Sequence, residues 1–92
     1  MDGNTFLSKA TGFLDPIAPI MSFAIKKQLS DLNATPENLT PETARQFIDR
    51  IVTVLRTFAP PQKVEEVRQA LLREFRKAAP DYSENMKIYG GK

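Results

Sequence analysis

The side chains of this 92-residue chain that can act as nucleophiles are those of serine, threonine, lysine and tyrosine, because cysteine and histidine are both absent. Each of these groups needs an activating base or a lowered pKa before it attacks a substrate. The sequence contains no G-x-S-x-G turn, no phosphate-binding G-x-x-x-x-G-K-S/T loop and no S-x-x-K motif. Without histidine there is also no side chain that ordinarily titrates near neutral pH. The composition therefore predicts a protein that is not an enzyme.

Carboxylates are the remaining candidates for acid–base chemistry or metal binding. Glu65, Glu66 and Glu74 fall on the outer and flanking faces of one amphipathic segment, where solvated acids are ordinary. A calcium loop of the type D-x-D/N-x-D/N-G is absent. The lack of cysteine also excludes disulfides, zinc–thiolate sites and iron–sulfur clusters. We therefore expect neither a metal site nor a cofactor.

The positive charge of the chain is concentrated in its last third. Residues 1–34 and residues 35–59 are each neutral, whereas residues 60–92 carry seven bases and five acids, which accounts for the net charge of +2. Four bases share one predicted helix, and such a basic face can neutralise phosphates: Arg68, Arg73, Arg76 and Lys77. Bases near the C-terminus of a helix are also favoured by the helix dipole in any protein. A small nucleic-acid-binding domain resembling those of transcription regulators is therefore the alternative function.

The main functional hypothesis comes from Phe23, a large aromatic side chain on an otherwise polar helix face. At about 100° per residue, the apolar stripe of its segment centres between Ile17 and Ile25, which places Phe23 nearly opposite. The residues around Phe23 on this face are Ile20, Lys26 and Lys27. A large aromatic in such a position is either covered by another element or used for binding.

Two interpretations of Phe23 are open. The simpler one is that residues 6–14 form a short helix that packs over it. Otherwise Ile20, Phe23, Lys26 and Lys27 mark a docking surface for another protein or for a second copy of this chain. The protein would then be a non-enzymatic helical interaction or regulatory module. An alanine at Phe23 separates the two, because only a covered phenylalanine contributes strongly to stability.

The elements that position these residues are predicted from helical periodicity. Apolar residues recur at steps of three and four, and the stripe of the third helix in chain order extends to Phe58. We expect Asn4 and Thr40 to cap helices and the Pro60–Pro61 pair to end one. The predicted main helices are residues 15–33, 41–59 and 61–79, and a shorter N-terminal helix covers residues 6–14.

These helices predict an all-α fold, a small antiparallel bundle of three main helices and a shorter N-terminal helix. We expect residues 1–80 to form a single domain. Residues 81–92 show no strong period, so we expect a flexible or loosely packed C-terminal tail.

The compartment is predicted from what the sequence lacks. Residues 1–14 show no basic start followed by an apolar run, which a secretory signal requires. The longest uncharged stretch, residues 16–25, is ten residues long and contains two prolines, whereas a membrane span needs about 20 mostly apolar residues. We therefore expect a cytoplasmic protein that does not associate with a membrane.

Overall fold

A computed structural model describes residues 1–80 of the chain, and in that range it contains four α-helices and no β-strand. The helices are α1 (Gly3–Leu14), α2 (Met21–Asp31), α3 (Pro41–Leu55) and α4 (Pro61–Ala78). The prediction of a small all-α bundle is confirmed. The predicted tail lies outside the described residues.

Side-chain caps define the starts of α1 and α3. Thr40 accepts a hydrogen bond from the backbone N–H of Thr43 (3.1 Å), and Pro41 occupies the first turn, as predicted. The prediction that Asn4 caps the first helix is wrong. Asp2 is the cap, because its carboxylate accepts from both the backbone N–H (3.1 Å) and the hydroxyl (2.6 Å) of Thr5. The helix therefore begins at Gly3, three residues earlier than the predicted start at residue 6.

Helix α2 is shorter than the predicted segment over residues 15–33. Asp15 is the C-cap of α1 and donates to the carbonyl of Thr11, and the chain then passes through turns until α2 begins at Met21. The physical reason is that Pro16 and Pro19 lack the N–H groups that a continuous helix would use. At its other end α2 stops at Asp31, two residues before the predicted end, and Asn33 adopts a left-handed conformation (φ 53°) that reverses the chain.

The turn after α2 has the hydrogen bonds of a Schellman motif. The N–H of Ala34 donates to the carbonyl of Leu29 (2.8 Å), and that of Asn33 donates to Ser30 (3.0 Å). Asparagine tolerates the left-handed conformation better than most residues, which explains its place here.

Helix α3 ends at Leu55, four residues before the predicted end. The chain leaves the helix through i+3 hydrogen bonds from Thr57 to Val54 (3.0 Å) and from Phe58 to Leu55 (2.9 Å). Pro60 has no N–H to donate to the carbonyl of Arg56, so the ladder of i+4 hydrogen bonds cannot continue past this turn. The prediction that Phe58 belongs to the inner stripe is therefore wrong, and its side chain is 47% exposed.

Each helix packs against two others, so the four form a closed ring in the order α1, α4, α3, α2. A methyl group added at Gly3 would clash with the carbonyl of Pro36, so the start of α1 lies directly on the connection between α2 and α3. The ring of Phe6, in the second turn of α1, meets the ring of Phe75 near the end of α4 (6.4 Å). Neighbouring helices therefore run antiparallel, as predicted.

The core is built from apolar side chains of all four helices. The ring of Phe6 packs edge-on against both Phe47 (6.3 Å) and Phe75, which ties α1 to α3 and α4. No polar side chain is buried within residues 1–80, and no buried side-chain nitrogen or oxygen there lacks a hydrogen-bond partner. The interior of the described bundle therefore provides stability and offers no polar group for chemistry.

Candidate docking surface on helix α2

The structure leaves Phe23 uncovered. Its side chain is 68% exposed, and that of Ile20 is 46% exposed. The expectation that the N-terminal helix packs over Phe23 is wrong. Helix α1 does contact α2, but its apolar side chains are buried in the same core as Met21 and Ile25, on the opposite face of α2. We call the four surface residues the α2 patch: Ile20, Phe23, Lys26 and Lys27.

Local structure aligns the two apolar residues of the α2 patch. Ile20 precedes α2 but has helical dihedral angles (φ −64°, ψ −18°), and its carbonyl accepts from the N–H of Ala24 (3.0 Å). Ile20 and Phe23 are therefore three residues apart on one helical surface and lie side by side. The connection that contains Pro16 and Pro19 thus starts the helical geometry early enough to present Ile20 beside Phe23.

The two lysines of the α2 patch border Phe23 with positive charge. Lys27 forms an ion pair with Asp31 (3.3 Å) one turn further along the helix, and both side chains are largely in solvent. Such an exposed pair stabilises by about 1 kcal/mol or less, so Lys27 can exchange partners at little cost. Lys26 makes no ion pair with any described residue.

Phe58 is a further exposed aromatic that the periodicity did not identify. It lies between α3 and α4, at the end of the bundle that also holds the α1–α2 connection and Ile20. Because α2 packs beside α3, Phe58 and the α2 patch belong to neighbouring elements. The sequence signal for an exposed Phe58 is Pro60, because it cannot donate the i+4 hydrogen bond that would continue the helix past Arg56.

The basic residues of α4 are only partly brought together. Arg68 pairs with Glu65 (3.2 Å) and Lys77 with Glu74 (3.5 Å) on the same helix. Arg73 is exposed on the outer face, and five residues of α-helix separate it from Arg68 by about 140° around the axis. The remaining basic residue, Arg76, is exposed near the end of the helix. The structure therefore places three of the four on one outer face and Arg68 on its flank.

Two of the three carboxylates of α4, those of Glu65 and Glu66, are exposed, whereas the side chain of Glu74 is only 14% exposed. Glu65 accepts a hydrogen bond from the side-chain amide of Gln69 (2.6 Å), which together with Arg68 holds the pKa of Glu65 below its ordinary value. A carboxylate with a lowered pKa is a poor proton donor at neutral pH. Within residues 1–80 no three acidic side chains converge on a point where they could hold a metal ion.

The grooves along the described surface are open to solvent and lined by both apolar and charged side chains. One cleft of about 370 Å³ lies where α3 meets α4, between Arg56, Ala59 and Glu65. Another of about 280 Å³ lies between the start of α1 and the end of α4. Across residues 1–80, no helix has the length and apolarity needed to cross a bilayer.

No protein-family model, no curated protein and no solved structure matches this chain. No residue role can therefore be transferred from a relative.

Proposed function

We propose that this chain is a non-enzymatic interaction module that docks another protein through the α2 patch. The observation that carries the proposal is the exposure of Phe23, which is 68% accessible in the first turn of a helix whose other face is buried in the core. Burying an aromatic side chain of this kind releases about 1.5–3 kcal/mol of apolar transfer free energy. A docking partner would gain that free energy.

The α2 patch has the composition of an interface centre. Aromatic residues dominate the binding energy of most protein interfaces, and they sit among contacts that exclude water from them. Ile20 extends the apolar surface beside Phe23, and the lysines of the patch form a polar border. Such an arrangement gives one central anchor with a rim that selects among partners.

The patch is presented on a rigid support. Met21 and Ile25 hold the inner face of α2 in the core, and α2 contacts both α1 and α3. Because the helix is already formed and packed, binding at Phe23 does not require it to fold first. The side chains that anchor α2 are distinct from those of the patch, so binding and stability can be altered separately.

The test compares Phe23→Ala with Ser8→Ala, an exposed position on α1 outside the patch. Proteins captured by the wild type are purified, and their affinity for each variant is measured directly. We expect Phe23→Ala to weaken binding by about 30-fold, as for a central anchor, and Ser8→Ala to leave it unchanged. A Phe23→Ala variant that binds every captured protein as tightly as the wild type would contradict the proposal.

Nucleic-acid binding by α4 is the second candidate. It is favoured by Arg73 and Arg76, which are exposed and form no ion pair within residues 1–80. It is weakened by the acids that already pair with Arg68 and Lys77. A salt series on random duplex DNA tests it, because counterion release makes affinity fall steeply with salt. Absence of binding at low salt would exclude this candidate.

A further inference from the structure

We infer that the partner of the α2 patch is an acidic amphipathic segment of another protein, and that it extends from the patch towards Phe58. This inference rests on the proposed function and gives its partner a defined chemistry. It combines two features: the grouping of exposed apolar side chains at one end of the bundle, and the absence of acidic residues from the two stretches that carry them.

Three of the four large apolar residues that are exposed within residues 1–80 lie at one end of the bundle, and the fourth, Met1, precedes α1 at the other end. Ile20 and Phe23 begin α2, and Phe58 follows α3, which packs beside α2. The starts of α2 and α4 are both at the end opposite Gly3 and Pro36, as the antiparallel order requires. The α2 patch therefore has a second aromatic on the neighbouring element, in the direction of the α3–α4 connection.

The stretches that carry these residues contain bases and no acids. Residues 16–30 include Lys26 and Lys27 but neither Asp nor Glu. Residues 50–64 include Arg50, Arg56 and Lys63, again with no acid. Five positive charges thus fall in two stretches of a chain whose total surplus is only +2. Electrostatic complementarity then calls for a partner rich in Asp or Glu.

The acids nearest this end only partly offset the charge. Asp15 and Asp31 border the first stretch on either side, and Asp31 pairs with Lys27. Asp49 and Glu65 border the second stretch on either side. Asp49 pairs with Arg45, and Glu65, whose pKa is lowered mainly by its hydrogen bond from Gln69, also lies near enough to Arg56 for that cation to contribute. Lys26 and Lys63 form no ion pair with a described residue and keep the surface positive.

A second copy of the chain fits this surface less well than an acidic segment does. In a two-fold symmetric dimer the same patch faces itself, so the lysines of one copy would meet those of the other. A stable interface buries about 800 Å² on each partner, far more than Ile20 and Phe23 alone can supply, so the neighbouring bases would be included. In an acidic amphipathic segment, the apolar residues can cover Phe23 while the carboxylates neutralise the lysines of the patch.

The experiment is selection from a random 16-residue peptide library displayed on phage, with the full chain as bait. The recovered peptides are synthesised and their affinities measured against matched variants. Lys26→Glu/Lys27→Glu reverses the charge of the patch, and we call this double variant the reversed patch. Lys9→Glu/Arg76→Glu makes the same change in net charge on α1 and α4. Phe23→Ala and Phe58→Ala remove the two aromatics.

We expect the recovered peptides to combine large apolar residues with an excess of Asp and Glu. Their affinity should fall by about tenfold or more with the reversed patch and with Phe23→Ala, and by a smaller factor with Phe58→Ala. The Lys9→Glu/Arg76→Glu control should change affinity by much less than the reversed patch. Circular dichroism of each variant checks that the bundle is still folded.

The outcomes separate this inference from the proposed function. Peptides whose affinity depends on Phe23 but that carry no excess of acidic residues overturn the inference. So do peptides that bind the reversed patch as tightly as the wild type. Neither result contradicts the proposed interaction module. Peptides that bind Phe23→Ala as well as the wild type contradict both. Two further results overturn the acidic peptide as partner. One is Phe23-dependent dimerisation in analytical ultracentrifugation, and the other is tighter Phe23-dependent binding to phosphatidylserine vesicles than to any peptide.

Discussion

Helices α2 and α3 are neighbours in the bundle but use their apolar residues differently. Helix α3 buries its apolar stripe almost completely, and its first turn is capped by the hydroxyl of Thr40. Helix α2 buries only Met21 and Ile25 fully, has no side-chain cap, and exposes Phe23. The difference indicates that α3 is optimised for stability. By contrast, α2 carries on its surface an aromatic side chain that would stabilise the fold if it were buried.

The largest expected effect is a contrast between two phenylalanines. Phe47→Ala in α3 removes a fully buried ring that packs against Phe6, so we expect the free energy of unfolding to fall by about 3–5 kcal/mol. Phe23→Ala in α2 should change it by about 0.5 kcal/mol or less, as at other surface positions. Urea denaturation followed by circular dichroism measures both. Equal losses for the two variants would abolish the proposed distinction between the helices.

The next effect concerns how α1 is seated on the connection between α2 and α3. Gly3→Ala would place a methyl group against the carbonyl of Pro36 and 3.1 Å from the Cβ of Leu39. Relieving that overlap requires the backbone to shift, so we expect a loss of about 1–3 kcal/mol. Gly12→Ala is the matched control in the same helix, because open space surrounds that position. There the higher helix propensity of alanine should stabilise by up to about 1 kcal/mol.

Opposite signs at the two glycines would show that α1 is held by close contact at its start. If both substitutions stabilise the protein in denaturation experiments, the contact between Gly3 and Pro36 is not a tight one. The assignment of the start of α1 to the end of the bundle away from the α2 patch would then lose its main support.

A smaller effect is expected at the cap of α3. Thr40→Ala removes the hydroxyl that accepts from the N–H of Thr43, which should lower the free energy of unfolding by about 1 kcal/mol. Thr40→Ser keeps the hydroxyl and should be nearly neutral. Thermal and urea denaturation of both variants provide the comparison. A neutral Thr40→Ala would mean that the start of α3 is held by packing rather than by its cap.

Local signals in the sequence predict most of the fold. Thr40 before Pro41 marks the start of α3, and the apolar stripes identify which faces of the helices are buried. The same signals fail where proline competes with periodicity. Pro16 and Pro19 delay α2, and the Pro60–Pro61 pair ends α3 before Phe58. Periodicity describes which residues share a face, whereas proline determines how far the helix extends.

The candidate site is less predictable from the sequence than the fold, because the exposure of Phe23 depends on which other helix packs beside it. The spacing of residues places Phe23 opposite the buried face of α2, and that part is correct. Whether α1 covers Phe23 depends on the direction in which α1 packs. That direction follows from contacts far apart in the chain, such as Gly3 with Pro36. No local sequence pattern predicts such a contact. For the same reason, the sequence did not indicate that Gly3 lies against the carbonyl of Pro36.

The smallest expected effect is the pH dependence contributed by the cap of α1. Hydrogen bonds from the hydroxyl and the backbone N–H of Thr5 hold the pKa of Asp2 below its ordinary value of 3.8. A carboxylate whose pKa is lowered by folding stabilises the folded state above its unfolded pKa. That contribution is lost as the pH falls through the folded value. Because Asp2 is fully exposed, the change should be small.

Asp2→Asn isolates this contribution, because asparagine can still cap the helix but does not titrate. We expect the stability difference between wild type and variant to be constant above about pH 5 and to shrink steadily below about pH 4. Urea denaturation across this range measures it, and comparison with the variant cancels the other carboxylates, including Glu65. A difference that does not change with pH would show that Asp2 caps α1 through hydrogen bonding alone. The charged cap of α1 would then be equivalent to the neutral hydroxyl cap of α3, and the uncapped start of α2 would differ from both in the same way.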